Sequence, residues 1–276
     1  MTADLRLSIL LGLLTGIMGG FGHNWVHQPK YRNWAYMGLD AMGMSSEGWI
    51  REHLLQHHMY TNTPLDNHYE GTAPFFIVDP TKERNFFQSK IMVWLNPVFL
   101  FFGIPANYWA HLVQLLCREE NFSIGKLFFP TKLLLLYRQW GWYGCILQLV
   151  ATGMCSVQYF TVALMNHNTK GSWNLEGKNG TSDWGIAQVY SCADIEPGLS
   201  FLQSIKYLWL NYHTVHHLFP HTDMSKHPGI QKILIETCKE FDVKYETNDF
   251  FTMYKEMMHT FSYPRHLGKE VKPYFN

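Results

Sequence analysis

Three long apolar stretches alternate with polar and aromatic segments along this chain. The apolar stretches cover residues 5–22, 91–116 and 140–165, and each is about long enough for a helix to cross a hydrocarbon core of roughly 30 Å. The other segments, residues 23–90 and 166–276, are polar and broken by prolines, so they are predicted to lie outside the membrane core. The pattern predicts an all-α integral membrane protein of about three to four spans, with a helical cap on one side and a single domain over residues 1–276.

Two smaller features modify the predicted spans. Gly12, Gly16 and Gly20 recur every four residues, so they share one smooth helix face on which another helix can pack closely. Pro97 and Pro105 interrupt the second span, and a lipid-buried helix tolerates such interruptions when neighbouring groups satisfy the freed backbone atoms. We therefore expect close helix packing in the first span and a kink in the second.

The composition agrees with a protein that lies partly in lipid. Charged residues make up 16% of the chain, whereas soluble domains carry about 25%. The mean hydropathy of -0.15 is too polar for a bundle made only of spanning helices. Twenty-two basic residues balance 22 acidic ones, so no positive field favours nucleic acid. The five scattered cysteines indicate neither a disulfide framework nor a zinc ribbon.

Eight of the 15 histidines fall in three clusters. Histidines at positions i and i+3 or i+4 share one face of a helix, so two members of each cluster point towards one place and an adjacent histidine reaches a neighbouring place. Imidazole is the commonest metal ligand in proteins. A single zinc ion needs only three or four ligands, so the clusters predict a dinuclear metal centre. They consist of His23 and His27; of His53, His57 and His58; and of His213, His216 and His217.

The remaining histidines and the basic residues add two expectations. Isolated histidines at a membrane surface are usually interfacial residues, so His68, His111, His259 and His266 are expected to lie outside the metal centre. Of the 22 Lys and Arg residues, 17 fall on the side of the histidine clusters, and the positive-inside rule places that side in the cytosol. The five on the opposite side are Arg6, Arg118, Lys126, Lys132 and Arg138.

Imidazole ligands alone do not identify the metal. A metal centre beside hydrocarbon has acyl chains as its natural substrate, and acid–base groups cannot break their unactivated C–H bonds, so a redox-active metal and O2 are required. Zinc has no redox chemistry and would support hydrolysis only. The chemistry therefore favours two iron ions (Fe2+/Fe3+) with O2 as co-substrate, which could remove two hydrogens and leave a double bond.

The three clusters, read as H-x3-H, H-x3-HH and H-x2-HH, resemble the histidine boxes of the membrane fatty acid desaturase superfamily. The sequences HHMYTN at residues 57–62 and LNYHTVHHLFP at residues 210–220, together with Asp183-Trp184 and Gln188-Val189, resemble front-end acyl desaturases. His213 stands where front-end enzymes usually have glutamine, so the position of the double bond stays open. The resemblance implies a di-iron centre, O2, a fatty acyl lipid or acyl-CoA substrate, electrons from cytochrome b5 or a similar external donor, and an endoplasmic reticulum membrane.

The resemblance also adds residues to the predicted site. Similar desaturases place a further histidine directly after the last span, which makes His167 a candidate ninth ligand. Ligating imidazoles usually donate their other N–H to a carboxylate or a carbonyl. Asn211 and Asp183 are candidates for that supporting role, and His221 is added to them.

Two alternatives stay open at this point. The same ligand set could insert oxygen instead, as in a fatty acid or lipid hydroxylase or a carotenoid ketolase. A different class would be a zinc-binding membrane transporter or receptor, although transporters usually place their ligands within the spans. Analysis of the products separates the first alternative from a desaturase, and analysis of the bound metal separates the second.

Overall fold

The computed structural model describes residues 4–66, 68, 77–80, 82–173 and 181–262. Their contacts divide the chain into two compact units. The first unit comprises Met1–Arg51 and Pro97–Thr161, and the second comprises Glu52–Asn96 and Val162–Asn276. The single domain expected from the sequence stays a prediction.

The described residues are mostly helical, as predicted. Two segments, Ile50–His57 and Phe87–Met92, are π-helices. The strands β1 (Asp194–Ile195) and β2 (Thr247–Asn248) form a short parallel pair. The α-helices are α1 (Leu5–His27), α2 (Ala35–Met42), α3 (Ser46–Trp49), α4 (His58–Tyr60), α5 (Asn96–Leu116), α6 (Phe128–Trp140), α7 (Trp142–Met165), α8 (Trp184–Ser191), α9 (His213–Leu218), α10 (His227–Glu240) and α11 (Phe250–Ser262), and the 3-10 segments are Arg32–Trp34, Ile124–Leu127, Gln203–Tyr207 and Met224–Lys226.

Three helices, α1, α5 and α7, are long and apolar enough to cross a membrane. They occupy the three apolar stretches identified in the sequence. Helix α1 continues beyond the predicted end at residue 22, so the first histidine cluster lies on its last turns. The exact number of spans and the helical cap stay predictions.

Close glycine contacts define the packing of α1 in the first unit. A Cβ atom at Gly12 would lie 2.3 Å from the carbonyl oxygen of Ala151 in α7, which agrees with the predicted close packing. A Cβ at Gly38 in α2 would lie 2.6 Å from the Cα of Gly22 in α1. Helix α2 therefore runs back along α1 at a distance that only glycine allows.

Helix α5 contains the predicted proline, and a side chain of α7 is inserted between its backbone hydrogen-bonding groups. Pro105 lies inside the helix. The Ser156 hydroxyl of α7 accepts from the backbone N–H of Ile104 at 2.9 Å and donates to the carbonyl of Leu100. A neighbouring helix thus supplies the hydrogen bonds that the interrupted helix needs, as lipid-buried helices require.

A buried polar cluster in the first unit contradicts part of the predicted sidedness. The Ser45 hydroxyl donates to Glu120 at 2.6 Å, and the Lys126 ammonium lies 2.8 Å from the other Glu120 oxygen and 3.8 Å from Glu47. The sequence placed Lys126 and residues 23–90 on opposite faces of a core of roughly 30 Å. That prediction is wrong for these residues, because α2 folds back along α1. The orientation of the whole chain in the membrane stays a prediction.

In the second unit, the extended segment 193–195 forms backbone hydrogen bonds with residues next to His167 and next to the third histidine cluster. The N–H of Ala193 donates to the carbonyl of Asn166 at 2.8 Å, and the N–H of Ile195 donates to the carbonyl of Asn211 at 3.1 Å. These bonds join the end of α7 to the residues that lead into α9. The backbone beside His167 and the backbone beside the third histidine cluster are therefore fixed by one strand.

Candidate metal centre

Seven of the nine predicted ligands lie in the second unit, and their ring nitrogens converge in two groups. In the first group, one ligand atom from each of four histidines lies within 4.8 Å of all the others. In the second group, one ring nitrogen lies 3.1 Å from the Nε2 atoms of two other histidines. We call these the four-histidine group, which consists of His57, His167, His213 and His217, and the three-histidine group, which consists of His53, His58 and His216.

The rings of the four-histidine group surround a common point. His167 Nε2 lies 2.7 Å from His213 Nε2 and 3.1 Å from His57 Nε2. The His167 ring makes angles of 89° with the His57 ring and 75° with the His213 ring. All four side chains are buried. Because the lone pairs lie in the ring planes, rings at these angles can direct their nitrogens towards one ion.

The hydrogen bonds on the far side of two rings establish which nitrogen carries the hydrogen. His57 Nδ1 lies 2.9 Å from a carboxylate oxygen of Asp66, and His167 Nδ1 lies 3.1 Å from the carbonyl oxygen of Ser191. Both partners are acceptors, so each Nδ1 is the donor and each Nε2 of the neutral ring carries a lone pair. Two lone pairs therefore face each other at 3.1 Å, and they repel unless a cation lies between them.

His217 gives the same assignment and leaves one atom for a ligand. Its Nδ1 donates to Gln188 Oε1 at 2.9 Å. Its Nε2 is fully buried and has no hydrogen-bond partner among the described residues. A buried acceptor without a partner costs about 1–3 kcal/mol. A metal ion would satisfy this atom, and nitrogens that bind one metal at about 2.1 Å are roughly 3 Å apart, so the histidines fit a metal.

Burial keeps these imidazoles in the form that binds metals. It lowers the pKa of His167 from 6.5 to about 4. It also holds the pKa of His217 well below its ordinary value, and the surrounding imidazoles lower that pKa further. Both rings are neutral at pH 7, and neutral imidazole is the form that donates a lone pair to a metal.

Comparison with known proteins assigns the chain to a family. The sequence model of the family described as fatty acid desaturase matches residues 5–248. The chain belongs to the fatty acid desaturase family. The desaturase region thus includes every histidine of both groups.

Individual relatives agree with the assignment to this family. The chain is 29% identical to a sn-1 linoleoyl-lipid 6-desaturase of Arthrospira platensis, over 88% of this chain and 73% of the relative. It is 31% identical to an acyl-lipid (8-3)-desaturase of Mortierella alpina, over 76% of this chain and 51% of the relative. It is 25% identical to a cytochrome b5-related protein of Drosophila melanogaster, over 79% of this chain and 51% of the relative.

The chain covers only part of the length of these relatives. It spans about half the length of several of the curated relatives it matches. No solved structure matches the chain.

The second histidine box lies on the π-helix Ile50–His57 and the first residue of α4, not on one α-helix as expected. In an α-helix, at about 100° per residue, position i+5 points about 140° away from position i. A π-helix closes its turn over five residues, so His53 and His58 lie on the same side. Their rings are 4.5 Å apart and their Nε2 atoms 3.1 Å apart. His53 therefore lies closest to His58, and one of its ligand atoms also lies within 4.8 Å of one of His57, the expected partner.

In the third box, the paired histidines are also separated by one helical turn, but the helix is an ordinary α-helix. In α9, His213 and His217 are four positions apart, which is about one α-helical turn, and both join the four-histidine group. His216, the residue before the end of the turn, joins the three-histidine group. In the second and third boxes, the two histidines separated by one full turn share a group, and the histidine between them belongs to the other group.

His68 lies beside the centre, although it was expected to be an interfacial residue. Its ring stacks on the His57 ring at 4.2 Å with an angle of 15° between the planes. A ligand atom of His68 also lies within 4.8 Å of ligand atoms of His53 and His57. Lone pairs in two stacked, nearly parallel planes cannot meet on one ion, so His68 packs against a ligand and supports its orientation.

Sequence reasoning missed Asp66, which holds His57. The sequence contains one weak indication of this role, namely that Asp66 is a carboxylate shortly after the second box. Gln188 was quoted for the resemblance without a role, and the structure places it on His217 and 2.9 Å from the Thr61 hydroxyl. Neither residue has a spacing that identifies it, because each reaches its histidine through tertiary packing.

The other predicted site residues have different positions. His23 and His27 lie in the first unit, buried on α1 with their rings 5.2 Å apart, and their role as ligands stays a prediction. Asp183 is an exposed residue that caps the N-terminal end of α8. Asn211 is fully buried, and its carbonyl accepts from the strand segment described above. His221 is exposed. His266 lies outside the described residues.

Proposed function

We propose that this chain is a membrane acyl-lipid desaturase that introduces a double bond into a fatty acyl chain with O2. The observation that carries the proposal is the pair of buried histidine groups, in each of which Nε2 atoms lie 3.1 Å apart, within a member of the fatty acid desaturase family. The names of the bacterial and fungal relatives support an acyl-lipid substrate. An acyl-CoA substrate is the other form of the same proposal.

The proposed metals are two iron ions, held by the seven histidines of the second unit together with His23 and His27. Bound iron would supply the redox chemistry with O2 that side chains cannot provide for an unactivated C–H bond. In the overall reaction, two hydrogens leave adjacent methylene carbons, an external donor gives two electrons, and two protons come from water. O2 is reduced to two water molecules, and the carbons form a double bond.

The donor and the location belong to the same proposal. Cytochrome b5 or a similar external protein is the proposed electron donor, and one relative is named as cytochrome b5-related. We place the desaturase in the endoplasmic reticulum membrane with the histidine boxes facing the cytosol. The three helices that could cross a membrane support the integral location.

The chain itself contributes orientation and protection from water. Asp66, Ser191 and Gln188 accept from the Nδ1 atoms of three rings and thereby keep the Nε2 lone pairs directed inwards. The Asn62 amide donates to the carbonyls of His167 and of Ser172. These contacts hold the loop after the second box against the residues after α7, so ligands from distant parts of the sequence keep fixed positions.

Expression in a desaturase-poor yeast with fatty acid profiling tests the proposal. A new alkene in the lipids is expected for the wild-type chain, and none is expected for His53→Ala or His216→Ala. Recovery of hydroxylated or keto products without an alkene would instead indicate an oxygen-inserting enzyme. Full activity of purified protein that contains zinc alone would exclude the iron centre.

A further inference from the structure

Asp194 is a fully buried carboxylate that receives hydrogen bonds from three separate elements of the second unit. The N–H of Thr214, in the first turn of α9, donates to Oδ1 at 2.8 Å. The amide of Gln231, in α10, donates to Oδ2 at 2.6 Å, and the hydroxyl of Tyr245 donates to the same oxygen. In β1, the N–H of Asp194 also donates to the carbonyl of Glu246 at 3.0 Å.

This arrangement needs an explanation because burying a carboxylate is costly. A buried ionised group is tolerated when several donors satisfy it. Burial raises the pKa of Asp194, whereas its bonds from Tyr245, Thr214 and Gln231 lower it. The carboxylate touches none of the predicted ligand side chains in these contacts. Its contact with the site is therefore made through the backbone of α9.

Helix α9 depends on such a contact for its position. It has six residues, and isolated helices shorter than about 12 residues are marginal in water. The N–H of Thr214 is one of the donors at a helix start that has no partner within the helix. Asp194 satisfies that donor from β1, and α10 and the segment before β2 hold Asp194. The orientation of α9 is thus set by neighbouring elements.

We propose that Asp194 is the positioning residue of the third histidine box, and this inference rests on the proposed metal centre. Through the Thr214 N–H, it fixes the rotation of α9 that directs His213 and His217 to the four-histidine group and His216 to the three-histidine group. A change at Asp194 therefore disturbs both groups at once. A change at Asp66, by contrast, acts on one candidate ligand side chain, His57, and on the backbone N–H groups of Asn62 and His68.

Hydrogen–deuterium exchange on the full chain in detergent tests this role without requiring bound metal. In Asp194→Asn, the new amide places donors opposite Gln231 and Tyr245, so the carboxamide shifts and its bond to Thr214 weakens. Exchange in the peptide that contains α9 is expected to rise about tenfold. In iron-loaded protein, bound iron is expected to fall from two per chain towards zero, without a population that keeps one.

A double variant keeps the test valid if Asp194→Asn folds poorly. Asp194→Asn with Gln231→Glu exchanges donor and acceptor between the two side chains, so α9 protection and bound iron are expected to return. Asp249→Asn is the matched control, because Asp249 is an exposed aspartate that accepts from the first-turn N–H groups of α11. It should change neither readout.

Two results would overturn the role of Asp194. One is unchanged exchange of α9 in Asp194→Asn. The other is a folded double variant in which α9 protection does not return. If wild-type protein bound no iron while α9 lost protection in Asp194→Asn, the iron centre would fail and the positioning role would stand. The two failures are therefore distinguishable.

Discussion

Individual hydrogen atoms decide whether the buried imidazoles can act as ligands. Each ring of His57, His167 and His217 has an acceptor at Nδ1, so its Nε2 faces the interior with a lone pair. A ring with the opposite tautomer would present an N–H to its neighbours and could not bind a metal through Nε2. The supporting acceptors are therefore as necessary to the centre as the rings are.

Asp66→Asn tests this dependence on a single acceptor. The amide can present an NH2 group to His57 Nδ1, which removes the preference for the tautomer with the hydrogen on Nδ1. We expect metal affinity to fall about 10- to 100-fold, measured as bound metal against a competing chelator. Asp183→Asn is the matched control, since asparagine caps helices as well as aspartate and Asp183 is exposed. Equal losses in both variants would contradict the role of Asp66.

His227 provides a prediction about pH. It is buried, its ring donates to the carbonyl of Thr222 at 3.2 Å, and burial lowers its pKa from 6.5 to about 4. The unfolded chain therefore takes up a proton below about pH 6.5, before the folded chain does. The stability that His227 contributes above this pH is lost as the pH falls towards 4, by up to about 3 kcal/mol.

The contribution of His227 can be isolated by substitution. Melting temperatures of metal-free protein, measured from neutral pH to about pH 5, should fall less steeply for His227→Gln than for the wild type. The glutamine amide can still donate to Thr222. A variant whose melting temperature follows the wild-type pH dependence would contradict this account.

The helix type, rather than the residue count, determines which histidines act together. The second box has one residue more between its histidines than the third box has, and the π-helix absorbs the difference. The clustered histidines could be identified as candidate ligands because histidine chemistry and spacing are visible in the sequence. Their division into two groups could not, because the i, i+4 rule assumes an α-helical turn. Residues such as Asp66 had no local signal at all.

Changes in the length of the second box test this interpretation. Deletion of Leu55, an exposed residue, gives the spacing of the third box and should convert the turn to an α-helix. His53 and His58 then remain one turn apart, so we expect most of the bound metal to be retained. Insertion of one alanine at the same place exceeds a π-helical turn and should abolish binding.

Metal content of the purified variants measures the outcome. Leu55→Ala controls for loss of the side chain without a change in length. If deletion and insertion abolish binding equally, the grouping by helical turns is wrong.

The arrangement of the first unit shows what the sequence could not predict about the whole molecule. The three apolar helices were visible as long hydrophobic stretches. The return of α2 along α1 depends on the close approach of Gly22 and Gly38, which are separated in sequence and have no shared pattern. Consequently the predicted membrane side was wrong for residues 41–47. The prediction of the three apolar helices was confirmed.

Accessibility labelling tests the corrected sidedness. Glu47 accepts from the Asn121 side chain at 3.0 Å, so cysteines placed at these two positions should react with an impermeant maleimide from the same side of sealed microsomes. Cys117 and Cys145 are replaced by serine in this experiment. Permeabilised microsomes give the total labelling. Reaction from opposite sides would restore the prediction made from the distribution of basic residues.

The six residues of α9 also have a consequence for how metals leave the protein. One short helix supplies rings to both histidine groups, so release of either proposed metal would loosen the ligands of the other. Depletion by a chelator is then expected to be cooperative: single chains would empty completely, and half-loaded species would stay rare. Native mass spectrometry during the depletion would count the metals on each chain, and a large half-loaded fraction would show independent sites.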